Sequence, residues 1–184
     1  STDVIKELYE LGVSKVCMLT GDNERTAAAV AKKLDLTEYR AEVLPEDKLA
    51  FIKAEHAAGR KVIMVGDGVN DAPALSESDV GIAVNEGAAI AREIADITIS
   101  SDDLRRIVLL RRISMQLMER IDNNYKFIVA FNAGLIGLGV AGILTPSSSA
   151  LFHNGSTILS GLYSTTPLLS ESEEDIKELD YEEA

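Results

Sequence analysis

The chain has 184 residues, a formal net charge of −12 and one cysteine. Such a length suits one domain or a domain with an appendage, and a lone Cys17 excludes an intrachain disulfide and fits a reducing compartment. No basic patch with interleaved aromatics occurs, which argues against a nucleic-acid partner.

The first half alternates between helical and strand patterns. Val4, Ile5, Leu8 and Leu11 have helical spacing, and Gly12 can end that helix. Val16 to Leu19 is a short apolar strand that contains Cys17, a core residue on this reading. An alanine-rich helix runs from Glu24 to Leu34, and Ala41 to Leu44 is a short strand candidate. Pro45 can open the next helix at its first position, and that helix continues to about Ala58. Val62 to Val65 is a strand, Asn70 to Ser76 a short helix, Val80 to Val84 a strand, Ala88 to Ile94 a helix and Ile97 to Ile99 a strand. Strands separated by helices predict an α/β fold with a parallel sheet and right-handed crossovers. After Ser101-Asp102-Asp103, an N-terminal cap signal, a long helix begins.

The charge pattern then splits. From Phe127 to Ser170 there is no Asp, Glu, Lys or Arg. A helical membrane crossing takes about 20 apolar residues, so this run predicts two passes. The first would be Phe127 to about Leu144 and the second about Ser149 to Leu168, with the turn at 145–148. The glycines 134, 137, 139 and 142 predict a thin first helix suited to close packing. Arg105, Arg106, Arg111, Arg112, Arg120 and Lys126 make the preceding helix a basic stalk, which places residues 1–126 and the tail on the cytoplasmic side. The expected organisation is therefore an α/β part over 1–102, a stalk over 103–126, a transmembrane α-helical hairpin over 127–169 and a solvated acidic tail over 170–184. The chain starts at Ser1 without a signal peptide and directly in a helical pattern, which predicts a fragment.

Three loops carry the chemistry. Gly66-Asp67-Gly68-Val69-Asn70-Asp71 follows an apolar strand, at the carboxyl end where open α/β sheets bind ligands. Two carboxylates four residues apart, Asp67 and Asp71, suit Mg²⁺, which takes one or two carboxylates and completes its shell with water and phosphate oxygen. Thr20-Gly21-Asp22-Asn23 forms a second strand-to-loop junction, with a hydroxyl and a backbone suited to a phosphoryl oxygen; alone it would also serve as a capping turn. Lys48, in Pro45-Glu46-Asp47-Lys48, supplies a cation for charge on a transferring phosphoryl group. The sequence holds no aspartate nucleophile ahead of these loops.

Together the three motifs, with Ala72-Pro73-Ala74-Leu75 after the second aspartate, resemble the haloacid-dehalogenase-type phosphorylation domain of P-type cation ATPases. The basic stalk and two hydrophobic passes are similar to the heavy-metal-transporting branch, over about Val4 to Leu169. The resemblance implies the second half of a Rossmann-like phosphorylation domain followed by the last two membrane helices of an integral, plasma-membrane pump. It also implies ATP as phosphoryl donor, Mg²⁺ held by Asp67 and Asp71, and catalytic roles for Thr20, Gly21, Asp22, Lys48 and Asn70. Missing are the Asp-Lys-Thr-Gly-Thr motif, the nucleotide-binding and actuator domains and the earlier membrane helices, so the partners are the N-terminal part of the pump, a heavy-metal cation and the lipid bilayer. Alone the chain is expected to be inactive. A soluble phosphatase of the same fold and a non-catalytic membrane subunit are the competing classes; the first would need its own nucleophile and gives no role to the apolar run.

Polar groups within membrane helices are costly and mark functional candidates. These are Asn132 in the first pass and His153, Asn154, Ser156 and Thr157 in the second, although such residues also join helices by hydrogen bonds. In the family, zinc pumps tend to carry an acid and a lysine in these helices, copper pumps a Tyr-Asn pair with Met and serines, and cobalt-type pumps a His-Glu pair. Phe131-Asn132 and His153-Asn154 match none of these in full. The expectation is against copper(I), which prefers soft sulfur, and open among zinc, cobalt, iron and manganese.

Overall fold

The computed structural model describes residues 2–66, 69–84, 93–99 and 104–166. They fall into two units, residues 1–108 and 109–184. The expected helix at Ala88–Ile94, the expected cap at Ser101–Asp103 and the acidic tail lie mostly or wholly outside the described residues, and Asp67 and Gly68 do as well.

In the first unit, α1 (Thr2–Glu10) buries Val4 and Ile5. It stops because Gly12 takes φ 86°, which lets the Val13 N–H reach back to the Leu8 carbonyl at 3.0 Å. Strand β1 (Cys17–Leu19) follows. Helix α2 (Glu24–Lys33) is capped by Asn23, whose side chain accepts from the Thr26 N–H at 3.0 Å, and it buries Ala27 and Ala31, one turn apart. Strand β2 (Glu38–Arg40) pairs in parallel with β1, Cys17 opposite Glu38 and Leu19 opposite Arg40.

That strand corrects one expectation. The ladder forms at Glu38–Arg40 and not at Ala41–Leu44. The charged residues are held there by specific partners: Glu38 by Lys15 at 2.9 Å, and Arg40 over the Phe51 ring at 4.7 Å. Residues 42–43 serve a different purpose. Glu42 sits at φ 53°, its N–H donates to Asp22 O at 2.8 Å, and the Val43 N–H donates to Thr20 O at 3.0 Å.

Helix α3 (Pro45–Ala57) begins with proline at its first turn and buries Ile52 and Glu55. Glu55 is bonded to Lys15 at 2.9 Å and to Arg60, so its charge is compensated on both sides. Strands β3 (Ile63–Gly66), β4 (Val80–Val84) and β5 (Ile97–Ile99) make a second parallel sheet in that order. A 3₁₀ turn at Val69–Asp71 and α4 (Ala72–Glu77) cross from β3 to β4. Leu75 and Ala83 form the buried cluster beneath this crossover, with Met64 and Ala95 against them. Gly81 is required there, because a Cβ would stand 2.9 Å from the Leu75 carbonyl oxygen. At the opposite end of β3, Asp79 accepts from the Val62 N–H at 2.9 Å, Lys61 at 2.8 Å and His56 at 2.9 Å.

Helix α5 (Arg105–Val140) joins the stalk and the first apolar stretch in one element, and α6 (Pro146–Ser164) returns. The break falls earlier than the expected 145–148. Gly142 takes φ 74°, and the Ile143 N–H donates back to Leu138 O at 3.0 Å, so the helix ends in a glycine cap before Leu144. Thr145 then caps α6, accepting from the Ser148 N–H at 3.2 Å. Among the described residues no helix is long and apolar enough to cross a membrane. The early break explains this for α5: its charge-free part, Phe127–Val140, extends only roughly 21 Å. Helix α6 is interrupted by serines, His153 and Asn154. The glycines 134, 137 and 139 have nothing within 4 Å of a built Cβ, so close helix packing at them is not seen among the described residues.

Candidate active site

Two of the predicted residues meet directly. The Lys48 Nζ lies 2.6 Å from Asp71 Oδ1, with the lysine side chain 15% and the aspartate 8% exposed. Lys48 comes from the first turn of α3 and Asp71 from the 3₁₀ turn after β3, so two crossovers converge at the carboxyl end of that strand. Gly66 makes the convergence fit. A Cβ at that position would stand 2.7 Å from Asp71 Cβ and 2.9 Å from its Oδ2.

Thr20 builds a separate corner. Its hydroxyl accepts from the Asp22 N–H at 3.1 Å and lies 3.1 Å from Asp22 Oδ2, folding the loop after β1 into a tight turn. Its backbone receives Val43 N–H, two residues before the start of α3. The link from Thr20 to Lys48 therefore runs through the chain at 43–48, and no bond between Thr20 and the Lys48–Asp71 pair is recorded among the described residues. Gly21 and Asp22 are exposed beside Thr20, and Asn70 is exposed on the 3₁₀ turn. Asp67 lies outside the described residues.

Asp71 suits a hard divalent cation. It is a buried oxygen donor at a strand end, and its Oδ2 occupies space that only a residue without Cβ leaves open. Among the described residues no cluster of three or more acidic, histidine or cysteine side chains that could hold a metal ion occurs, and Mg²⁺ in general takes one or two carboxylates with water and phosphate oxygen. Burial pushes the Cys17 thiol up to about 11.

In the second unit the structure joins the two leading membrane candidates. His153 Nδ1 and Asn132 Oδ1 are 2.8 Å apart. Ser156 and Thr157 instead donate to the His153 carbonyl, at 2.8 and 3.1 Å, within their own helix. Asn154 is exposed. Toward the stalk, Asn124 donates to Ser164 at 2.9 Å, while Arg120 reaches the Thr166 carbonyl and covers the Tyr163 ring at 5.2 Å.

Sequence reasoning missed two contributors. Gly66 is one, and its place directly before Asp67 is the sequence signal for a close approach. Asp47 is the other, and an acid three residues into a helix is a capping signal.

Residues 1–79 match the haloacid dehalogenase-like hydrolase family. The chain is 42% identical over 159 residues to a manganese-exporting P-type ATPase of Mycobacterium leprae, covering 86% of this chain and 22% of that protein. It is 46% identical over 147 residues to copper-transporting ATPase 2 of Rhizobium meliloti, covering 80% and 18%. A crystal structure of a zinc-transporting PIB-type ATPase in its E2.Pi state superposes with a TM-score of 0.81 at 33% identity, over 89% of this chain and 26% of that one. The chain thus spans about a fifth of the length of the curated relatives it matches.

Proposed function

We propose that this chain, a haloacid-dehalogenase-like hydrolase domain homologous to heavy-metal P-type ATPases, is the part of such a pump that holds the phosphoryl group and continues into its last membrane hairpin. The observation that carries the reading is the partly buried Lys48–Asp71 pair at the end of β3. In this role Lys48 binds a phosphoryl oxygen of an aspartyl phosphate formed from ATP. Thr20 donates its hydroxyl to another oxygen, with Gly21 leaving the backbone accessible and Asp22 fixing the turn. Asp71, with Asp67, holds Mg²⁺, and Asn70 orients the loop between them. The bound Mg²⁺ supplies neutralisation of phosphoryl charge. With Mg²⁺ on the carboxylates, Lys48, which now contacts Asp71, would be the group that binds phosphate.

The sequence contains no Asp-Lys-Thr-Gly-Thr, so the acceptor carboxylate comes from outside these 184 residues and the chain alone is inactive. The sheet supports an added strand. Among the described residues β1 pairs only with β2, and β3 only with β4, so each of these two strands keeps an edge for a parallel partner. Ile63 and Val65 of β3 are 49% and 36% exposed, whereas strands of parallel sheets are normally covered on both faces.

The hairpin belongs to the membrane on this reading. Ile136, Val140, Leu151, Ile158, Leu159 and Leu162 are each more than 60% exposed, an apolar surface that water does not favour. The match to the zinc-transporting structure also covers more of the chain than residues 1–108 contain. The short apolar stretch of α5 is accommodated by local thinning of the bilayer, and the polar side of α6 faces other pump helices. The stalk keeps residues 1–126 and the tail cytoplasmic, in the plasma membrane. The relatives carry the names of different metals, so the cargo follows from side chains. Imidazole at His153, amide oxygen at Asn132, and no Met or Cys from 127 to 166 suit zinc, cobalt, iron or manganese over copper(I). Asn154, Ser156 and Thr157 complete the candidate set.

Two experiments test the proposal. In the intact pump, Asp71→Asn should block phosphoenzyme formation while leaving membrane insertion unchanged; normal turnover at low Mg²⁺ refutes the site. The chain expressed in cells should remain in the membrane fraction after alkaline carbonate washing, and its release would refute the hairpin assignment.

A further inference from the structure

We infer that Asp47 is the positioning residue for Lys48, acting through the start of α3, an inference that rests on the reading of Lys48 as the phosphate-binding cation. Helix starts are usually capped by Ser, Thr, Asp or Asn, whose side chain accepts a backbone N–H. Here the cap position is Leu44, which has no acceptor. The carboxylate of Asp47 takes over the other half of the arrangement: its Oδ2 accepts the Leu44 N–H at 3.0 Å. The Leu44 carbonyl is held by the Asp47 N–H at 3.0 Å and the Lys48 N–H at 3.2 Å. Lys48 therefore makes the first full-turn bond of the helix, and both backbone polar groups of Leu44 are bonded.

Upstream, the same segment is tied to the Thr20 corner. Val43 N–H donates to Thr20 O at 3.0 Å and Glu42 N–H to Asp22 O at 2.8 Å. A continuous set of bonds thus runs from the hydroxyl corner through residues 42–44 to Lys48 and on to Asp71, and Asp47 supplies the side-chain bond in the stretch between Val43 and Lys48. Its carboxylate is also favoured by the helix dipole at this end. Removing it leaves backbone bonds alone to define where α3 begins. The first turn then frays, and Lys48 loses its fixed distance from Thr20 and Asp71. Asp47 itself is exposed and needs no contact with phosphate.

Lysine acylation read by mass spectrometry tests this on the 184-residue chain. Lys48 should be protected by Asp71, and Lys53 and Lys61 serve as references on the same preparation. Asp47→Ala should raise acylation of Lys48 relative to Lys53 and Lys61 by about fivefold, the ratio set by loss of an N-terminal cap. Asp47→Glu and Asp47→Asn, which keep an acceptor, should stay near the parent. Unchanged Lys48 acylation in Asp47→Ala, while Asp71→Asn raises it, overturns the inference. So does an equal rise at every lysine, which would make Asp47 a support of the whole domain. In the intact pump, Asp47→Ala should slow phosphoenzyme formation, and the double variant with Lys48→Met should be no slower than Lys48→Met alone. Additive losses would mean that Asp47 acts elsewhere. Normal turnover in Lys48→Met would sink the phosphoryl-site reading, whereas the acylation result on the 184-residue chain would still report the helix coupling.

Discussion

Replacing Lys48 by methionine removes a charge and keeps most of the side-chain volume. The ammonium lies 2.6 Å from Asp71 Oδ1, and the carboxylate left behind is only 8% exposed. Breaking a buried ion pair from one side costs about 3–5 kcal/mol, because the remaining charge loses its partner without regaining water. The lysine end is 15% exposed, which admits some solvent and places the expected loss near the lower bound, about 3 kcal/mol. For a domain of this size that corresponds to a fall in Tm of about 12 °C. Thermal unfolding of the chain in detergent, followed by circular dichroism, measures it. Adding Asp71→Asn to Lys48→Met should return a large part of the loss, since no buried charge then remains. Millimolar Mg²⁺ should stabilise Lys48→Met more than the parent, because Oδ1 no longer has to exchange an ammonium for the cation. A Tm within about 2 °C of the parent would refute the reasoning, since that is less than 1 kcal/mol.

Other substitutions probe separate features. Gly66→Ala should cost about 1–3 kcal/mol and weaken Mg²⁺-dependent stabilisation, because the new Cβ would stand 2.7 Å from Asp71 Cβ; calorimetry with and without Mg²⁺ reads both effects. Arg60 and then Lys15 hold the Glu55 carboxyl at about 2, below its ordinary 4.5. A depressed folded-state value contributes stability above about pH 4.5 that is lost as pH falls toward 2, so Glu55→Gln should flatten that part of the acid-unfolding curve. An unchanged curve would remove Glu55 from the account. His153→Ala in the intact pump should abolish metal-stimulated turnover or change its metal preference at equal expression. Unaltered stimulation by zinc, cobalt, iron and manganese would reduce the His153–Asn132 bond to helix packing.

The parts legible in the sequence were those where one signal dominated. Val62 to Val65, ahead of Gly66, and Val80 to Val84, after Asp79, are apolar runs, and they mark β3 and β4 to within one residue. Pro45 marked the start of α3 for the same reason that it occupies the first turn. Strand β2 was hidden because Glu38 and Arg40 face long-range partners, Lys15 and Phe51, that no local pattern announces. The hairpin break was misplaced because Ile143 and Leu144 continue the apolar run past Gly142, whose positive φ ends the helix. The Lys48–Asp71 pair was legible as two motifs of matching chemistry, but their direct bond joins residues 23 positions apart and depends on both crossovers.

The two parallel sheets also bear on handling the molecule. A strand edge with free N–H and carbonyl groups is a template for another chain, and the usual protections are charge, proline or a covering element. Among the described residues β3 offers isoleucine, methionine and valine on such an edge, with the isoleucine and the valine exposed. At high concentration the separated chain should therefore associate edge to edge through the 63–66 segment even in detergent that shields its helices. A short peptide carrying a complementary strand should suppress that association and act as a solubiliser.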